Sequence, residues 1–450
     1  MAEPWGISGR WRGRTYNPSV FELTQSGRGI VTSALGATPT RGEDAQVTIA
    51  EALGGHRNSL GLLRLILASL VIFDHAFPLG GDGRDPFWLL TRGQASLGTI
   101  AVGGFFAISG YLIAKSGVSS DILQFMWRRV LRIFPAYWGV LLVTALIVAP
   151  IVWVTAGGTL SDYISRAPDG PLGYLSRNWT LNIGTYGIYD IFADTTPYGE
   201  SVGGSVFNGS IWTLIYEWWC YLIIGVCVAF GIMNRAKIVI PMLTLGFFLL
   251  QVISLSNPAM LGAIAPFLAD SQLVALTFTF LVGSTLAVYS KVVPFDDRLG
   301  ILAGLITVVS LRYGGFNTVG VIAGAYFVLY LAARLPARLH WIGAKNDYSY
   351  GVYVYGFLVQ QVLAYVGVQK WGYFLYSLTA LVITFVCAWL SWHVIEKRAM
   401  SIKDWGPGKG WNYWKSLLQT RFASRKLARF AVNSNVPSKA LSLNTKDITK

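Results

Sequence analysis

Arg64 and His75 stand inside a run otherwise fit for lipid. The run reads Leu62, Leu63, Arg64, Leu65, Ile66, Leu67 and continues through Val71, Ile72, Phe73, Asp74, His75, Ala76, Phe77 to Pro78. At ~100° per residue, an eleven-residue separation puts both on one helical face, ~16 Å apart along the axis. Neutral imidazole near pH 7 can take the proton of an attacking hydroxyl. A guanidinium can grip a carboxylate or phosphate through forked hydrogen bonds. Arg64 either snorkels to headgroups or faces a polar interior, and His75 is either a hydrogen-bonded packing residue or a general base. If functional, the pair lines one wet passage through the molecule.

Other ionisable groups stand at the ends of later apolar runs. Glu217 is the only carboxylate in Ser210–Tyr221, and burying it requires protonation or a partner such as an arginine or histidine. Arg128, Arg129 and Arg132 open the third run. They act as positive anchors at a membrane face or as a phosphate grip. Ser109 and Tyr111 belong to a segment, Gly103 to Leu112, whose small residues permit close helix approach. Trp212 opens the run holding Glu217, where tryptophans form an interfacial belt or stack on a sugar. Asp347 and Tyr350 open the ninth run and Glu396, Lys397 and Arg398 close the tenth, as helix caps and charge anchors. His56 and His340 fall in segments expected on the cytoplasmic side and His393 at the inner end of the tenth run, so His75 alone is embedded in the outer half of a span.

The elements that must position these groups are membrane helices. Of 450 residues, 53% are hydrophobic and 13% charged, against roughly 25% charged in soluble domains. Ten apolar runs follow, each measured against the ~20 residues that a bilayer core requires: 60–79, 97–114, 133–154, 211–231, 238–256, 272–290, 299–313, 316–333, 348–368 and 372–393. The seventh is short and is expected to form a tight hairpin with the eighth. The fold class is therefore all-α, a polytopic membrane bundle of about ten transmembrane helices.

Basic residues crowd 115–132, 232–237 and 334–347, whereas 155–210 carries two arginines against five acids, a net −3. The positive-inside rule then puts both termini in the cytoplasm and the acidic loop outside. Residues 1–58 form an expected mobile cytoplasmic segment and 59–398 the membrane domain. Residues 399–450 form a basic tail, in which ten basic residues and two acids from Ser401 to Lys450 give +8 of the chain's +14. Such a tail suits anionic lipid headgroups better than nucleic acid. Cys220, Cys227 and Cys387 each lie in an apolar run and imply neither disulfides nor a metal site. No nucleotide-binding glycine pattern or internal repeat is visible, so no bound cofactor and no ATP chemistry are expected.

Arginine and histidine with ten residues between them, Phe-Phe-Ala-Ile-Ser-Gly-Tyr-Leu at 105–112, Arg-Arg-x-x-Arg-Ile-x-Pro at 128–135, Trp-Thr-Leu-x-x-Glu at 212–217 and the closing Ile-Glu-Lys at 395–397 occur in one order. Together they resemble the acyltransferase 3 family of membrane O-acyltransferases, from about residue 59 to 398. The resemblance implies ten spans, cytosolic acyl-CoA as donor substrate and a carbohydrate acceptor. It implies essential roles for Arg64 and His75, with Arg128, Arg129, Arg132 and Glu217 supporting; Ser109, Tyr111, Trp212 and Tyr350, in or near these motifs, are further supporting candidates. One departure stands out: Tyr353, Val354, Tyr355 and Gly356 occupy the place where many members carry a second histidine, so no role of that histidine transfers. The competing class is a proton-coupled secondary transporter, because buried Arg, His and Glu also build proton relays.

Overall fold

The computed structural model describes residues 46–55, 58–165 and 169–405. The basic tail beyond 405, most of the amino-terminal segment and His56 lie outside them. Among the described residues there is no strand, only an isolated bridge between Thr48 and Pro294. Ten long helices appear in the order of the apolar runs. They are α1 (Leu60–Gly80), α2 (Leu97–Gly117), α3 (Ile122–Val143), α4 (Leu214–Ala229), α5 (Val239–Ser256), α6 (Ser271–Val288), α7 (Asp297–Tyr313), α8 (Val321–Arg334), α9 (Ser349–Tyr365) and α10 (Tyr373–Ser391). A π-turn, Thr144–Val148, carries α3 on into Ala149–Thr155, and another, Trp392–Glu396, carries α10 on into Lys397–Ser401. Eight of these rods are long and apolar enough to cross a bilayer. α4 and α8 reach 19 residues each with the turns Ile211–Thr213 and Phe316–Gly320 that lead into them, whereas the other two, α7 and α9, have 17 residues each, a length of ~26 Å against a core of ~30 Å. Apolar side chains such as Met242, Leu245 and Leu249 on α5 and Val308 on α7 point outward, as lipid-facing residues must.

Three features depart from the sequence reading. First, α3 begins at Ile122, not 133, because Asp121 accepts hydrogen bonds from the Leu123 and Gln124 amides, both 3.1 Å. Hydropathy marks where an apolar run starts, while the cap marks where the backbone turns helical. The three arginines are therefore on a helix rather than in a loop. Second, Val47 to Leu53, counted with the mobile amino-terminal segment, dock on the chain after α6: Ile49 N donates to Val293 O at 3.1 Å and Phe295 N to Val47 O at 2.7 Å.

Third, the segment between α3 and α4 is not a simple outer loop. Tyr137 in α3 donates to the carbonyls of Asn178 and Thr180, each at 2.7 Å. Asn208 Nδ2 reaches Val354 O at 2.7 Å, and Gln361 Nε2 reaches Val206 O at 2.6 Å. The irregular chain thus descends between α3 and α9 before entering α4 through the turn Ile211–Thr213. Non-helical backbone inside a membrane bundle survives only where its polar groups are bonded by protein or water, and these side chains bond them. Alternation of charge and hydropathy cannot register such partners.

Where α2 meets α6 the contact is backbone on backbone. A Cβ on Gly110 would fall 2.0 Å from Phe280 O, and one on Gly283 would fall 2.1 Å from Ala107 O. This close approach presents the Phe105–Leu112 segment of α2 to α1 and α4.

Candidate active site

A single carboxylate gathers two arginines from different helices. Asp347 Oδ2 accepts from Arg64 of α1 and from Arg132 of α3, the latter at 2.7 Å. Its other oxygen accepts from the Ser349 amide at 3.2 Å and the Ser349 hydroxyl at 2.5 Å, at the start of α9. Burial pushes this carboxyl up, but the guanidiniums of Arg64 and Arg132 and the Ser349 hydrogen bonds outweigh it and hold it down at about 2. Arg132 also lies 3.8 Å from Glu396 Oε2 and sits over the Tyr350 ring, 5.5 Å from its centroid. Tyr350 is anchored in turn by its hydroxyl, which donates to Ile133 O at 2.8 Å.

Across from this network, Glu217 Oε1 accepts from Ser109 at 3.2 Å and from Tyr221 at 2.5 Å. Two hydroxyl donors occupy the place where an arginine or histidine partner is expected. The Arg129 guanidinium lies 5.9 Å from the Tyr221 centroid and 5.2 Å from that of Phe125, and it donates to Ser116 at 2.9 Å. Arg128 turns to Asp404 at 2.9 Å.

Arg64, Ser109, Arg132, Glu217, Tyr221 and Tyr350 surround a small cavity of about 40 Å³. Phe105 and Tyr353, with ring centroids 6.0 Å apart, line its wall. Tyr353 is fixed there by its hydroxyl, which donates to Ser210 O at 2.6 Å.

His75 does not line this cavity. Its ring meets Phe357 edge-on at 5.3 Å, one turn along α9 from Tyr353, and makes no hydrogen bond to another described residue. Phe357 is gripped on its other side by Tyr198, whose ring lies 5.6 Å away. The spacing along α1 is as expected, yet Phe105, Tyr353 and Phe357 stand where a continuous wet passage from Arg64 to His75 is expected. Trp212 packs against Tyr216 at 5.5 Å, away from the cavity, and Tyr111 lines a separate cavity beside Arg64.

Asp347 and Glu396 are the functional candidates that capping and anchoring arguments undervalue. The signal is in the sequence: Asp347 is the only acidic residue between Asp297 and Glu396. Two lone acids in so long a stretch are the obvious counterions for arginines brought in from elsewhere. Glu396 is 2% exposed and lies in a π-turn, an irregularity often found at functional sites. Among the described residues no group of His, Cys, Asp and Glu could hold a metal ion.

This arrangement belongs to a multi-pass membrane protein with a buried polar chamber. Residues 57–393 match the family model of the acyltransferase 3 acyltransferase domain, and the chain belongs to that family. It is 30% identical over 352 residues to the O-acetyl transferase of Shigella phage Sf6, covering 76% of this chain and 96% of that protein. It is 29% identical over 387 residues to nodulation protein 10 of Rhizobium leguminosarum bv. viciae, covering 78% of this chain and 96% of that one. No solved structure matches the chain. The chain is a membrane O-acyltransferase, and its enzymatic class is O-acetyl transfer.

Proposed function

We propose that the enzyme moves an acetyl group from cytosolic acetyl-CoA to a hydroxyl of a cell-surface or exported carbohydrate. The setting is the cytoplasmic membrane of a bacterium, with the arginine-rich end inward and both termini in the cytoplasm. The observation that carries this reading is the small polar cavity around which two guanidiniums and a carboxylate from separate helices are gathered. Arg64 sits at its entrance, with Arg128, Arg129 and Arg132 around the same end. The relative named an O-acetyl transferase supports acetyl as the group moved.

In the transfer, the acceptor hydroxyl oxygen attacks the thioester carbonyl. His75 takes the hydroxyl proton as the C–O bond forms, the C–S bond breaks, and the leaving thiolate receives a proton, which gives an ester and free CoA. Arg64, about 16 Å along α1 from the imidazole, and Arg132 beside it hold the donor at the chamber end and not at the reacting carbonyl. Phe105 and Tyr353 must give way for the pantetheine arm to approach the imidazole, a side-chain movement within the reach of rotamer changes.

The test is transfer of radiolabelled acetyl from acetyl-CoA by purified protein in bilayers, together with mass spectrometry of surface glycans from cells with and without the gene. Labelled, acid-stable carbohydrate ester is the expected product. A protein that moves solute across the bilayer and leaves every acceptor unmodified is a carrier instead.

A further inference from the structure

Five cations cluster at the arginine-rich end, and their partners differ. Arg64 and Arg132 share Asp347, Arg132 also faces Glu396, and Arg128 pairs with Asp404. Arg129 is closed in by the rings of Phe125 and Tyr221. Lys115, near the end of α2, has no carboxylate partner among the described residues. Its ammonium lies 5.7 Å from the Tyr111 centroid, and the residue is exposed.

Lys115 lines a second cavity of about 320 Å³ between α1, α2 and the turn before α9. That volume falls in the range of small-molecule sites, roughly 300–1,000 Å³. Gly61 and Gly343 also line the cavity. A Cβ on Gly61 would fall 2.7 Å from Ile342 O, and Gly343 has φ +73°, so the two strands of chain meet with no side chain between them. Arg64 lines both this cavity and the central chamber, so whatever sits here has its next contact at the acid–arginine network. Of the two cations that line it, Arg64 is already paired with Asp347, which Arg132 also holds, so among the described residues Lys115 is left without a carboxylate.

We infer that this second cavity seats the phosphate-bearing half of the acyl donor, with Lys115 as its charge contact and Arg64 as the threshold over which the pantetheine arm enters the chamber. A lysine is well suited here, because its compact ammonium on a flexible stem meets phosphate as a point charge. The inference rests on the acyl-CoA reading and extends it to a residue outside the arginine cluster.

The experiment compares acetyl-CoA with S-acetylpantetheine, which carries the same thioester and no phosphate, as donors for the purified enzyme in zwitterionic bilayers. The expected result is that Lys115→Ala lowers the preference for acetyl-CoA over S-acetylpantetheine about tenfold, the worth of one charge-assisted contact. Lys115→Arg should keep most of that preference, and a matching thermal midpoint for the alanine variant would exclude general unfolding. An unchanged preference in Lys115→Ala overturns the inference while leaving the donor reading intact. A preference that shifts only when anionic lipid is added assigns Lys115 to headgroups and also overturns it. Wild-type enzyme that takes acetyl from neither donor removes the donor reading and the inference together.

Discussion

The two ends of α1 solve the same problem in opposite ways. Arg64 is buried by charge compensation: one carboxylate, a second guanidinium and a further acid form a chain of ion pairs across α1, α3, α9 and the end of α10. His75, three turns away, is buried by rings, held through Phe357 and Tyr198 with no hydrogen bond from its nitrogens to another described residue. Ion pairs fix position at the cost of freedom, because removing either partner leaves an uncompensated charge. An imidazole among rings keeps both nitrogens available to a substrate. The contrast assigns architecture to one end and proton transfer to the other, and each assignment can be broken separately.

The sharpest break is His75→Ala. Loss of a general base costs on the order of 10²–10⁴ in rate, while the truncation removes only an edge-on ring pairing from the fold, so acetyl transfer should collapse with the thermal midpoint nearly unchanged. A variant with full transfer activity would remove imidazole from the mechanism. Asp347→Ala should do the reverse in emphasis. It leaves Arg64 unpaired and Arg132 with Glu396 alone, a change of about 3–5 kcal/mol for a buried pair, so the protein itself becomes unstable and donor use falls with it.

The acid response separates the ends again. Asp347 is held at about 2 in the folded protein, below the ~3.9 of a free aspartate. The folded value is depressed, so its stabilising effect is fully present above about pH 4 and disappears as pH falls through 2. Unfolding measured between pH 7 and 4.5 should therefore show no loss traceable to this network, and Asp347→Asn should flatten the steep loss expected at lower pH. A midpoint that drops between pH 7 and 5 in wild type but not in Asp347→Asn would contradict the assignment. A smaller effect is expected from Arg132→Lys. An ammonium can pair with Asp347 but cannot fork toward Glu396 and lie flat on Tyr350 as the guanidinium does, so stability should fall by about 1–2 kcal/mol. Denaturation midpoints in detergent would measure it.

Much of this architecture is legible in the residues alone. Hydropathy locates all ten helices, because the bilayer sets their length and leaves few alternatives. The Arg64, Ser109, Arg132, Glu217 and Tyr350 cluster lies in the motifs. The partners are not legible. Asp347 looks like a helix cap and bonds Ser349 at the start of α9, yet its second oxygen serves two arginines more than 200 residues away in sequence. The descent of residues 178–210 into the bundle is hidden for the same reason: Tyr137, Asn208 and Gln361 sit in apolar surroundings where periodicity counts only hydropathy. Pairings of distant residues depend on the tertiary fold, which local patterns do not encode.

The mildest prediction tests the ring cradle itself. Phe357 touches His75 on one side and Tyr198 on the other, and a Cβ on Gly209 would fall 2.7 Å from its ring. Phe357→Leu keeps the volume apolar but removes both edge-on pairings, each aromatic pair being worth about 0.5–1.5 kcal/mol. If the cradle orients the imidazole, kcat should fall several-fold while KM for the donor, set at the opposite end of α1, stays put. If Phe357 only fills space, kcat and KM should both remain near wild type, and stability alone should register the missing ring. A rise in KM for the donor with kcat preserved would mean that the two ends are coupled through Tyr353, one turn away on the same helix, and that the separation drawn between them is too clean.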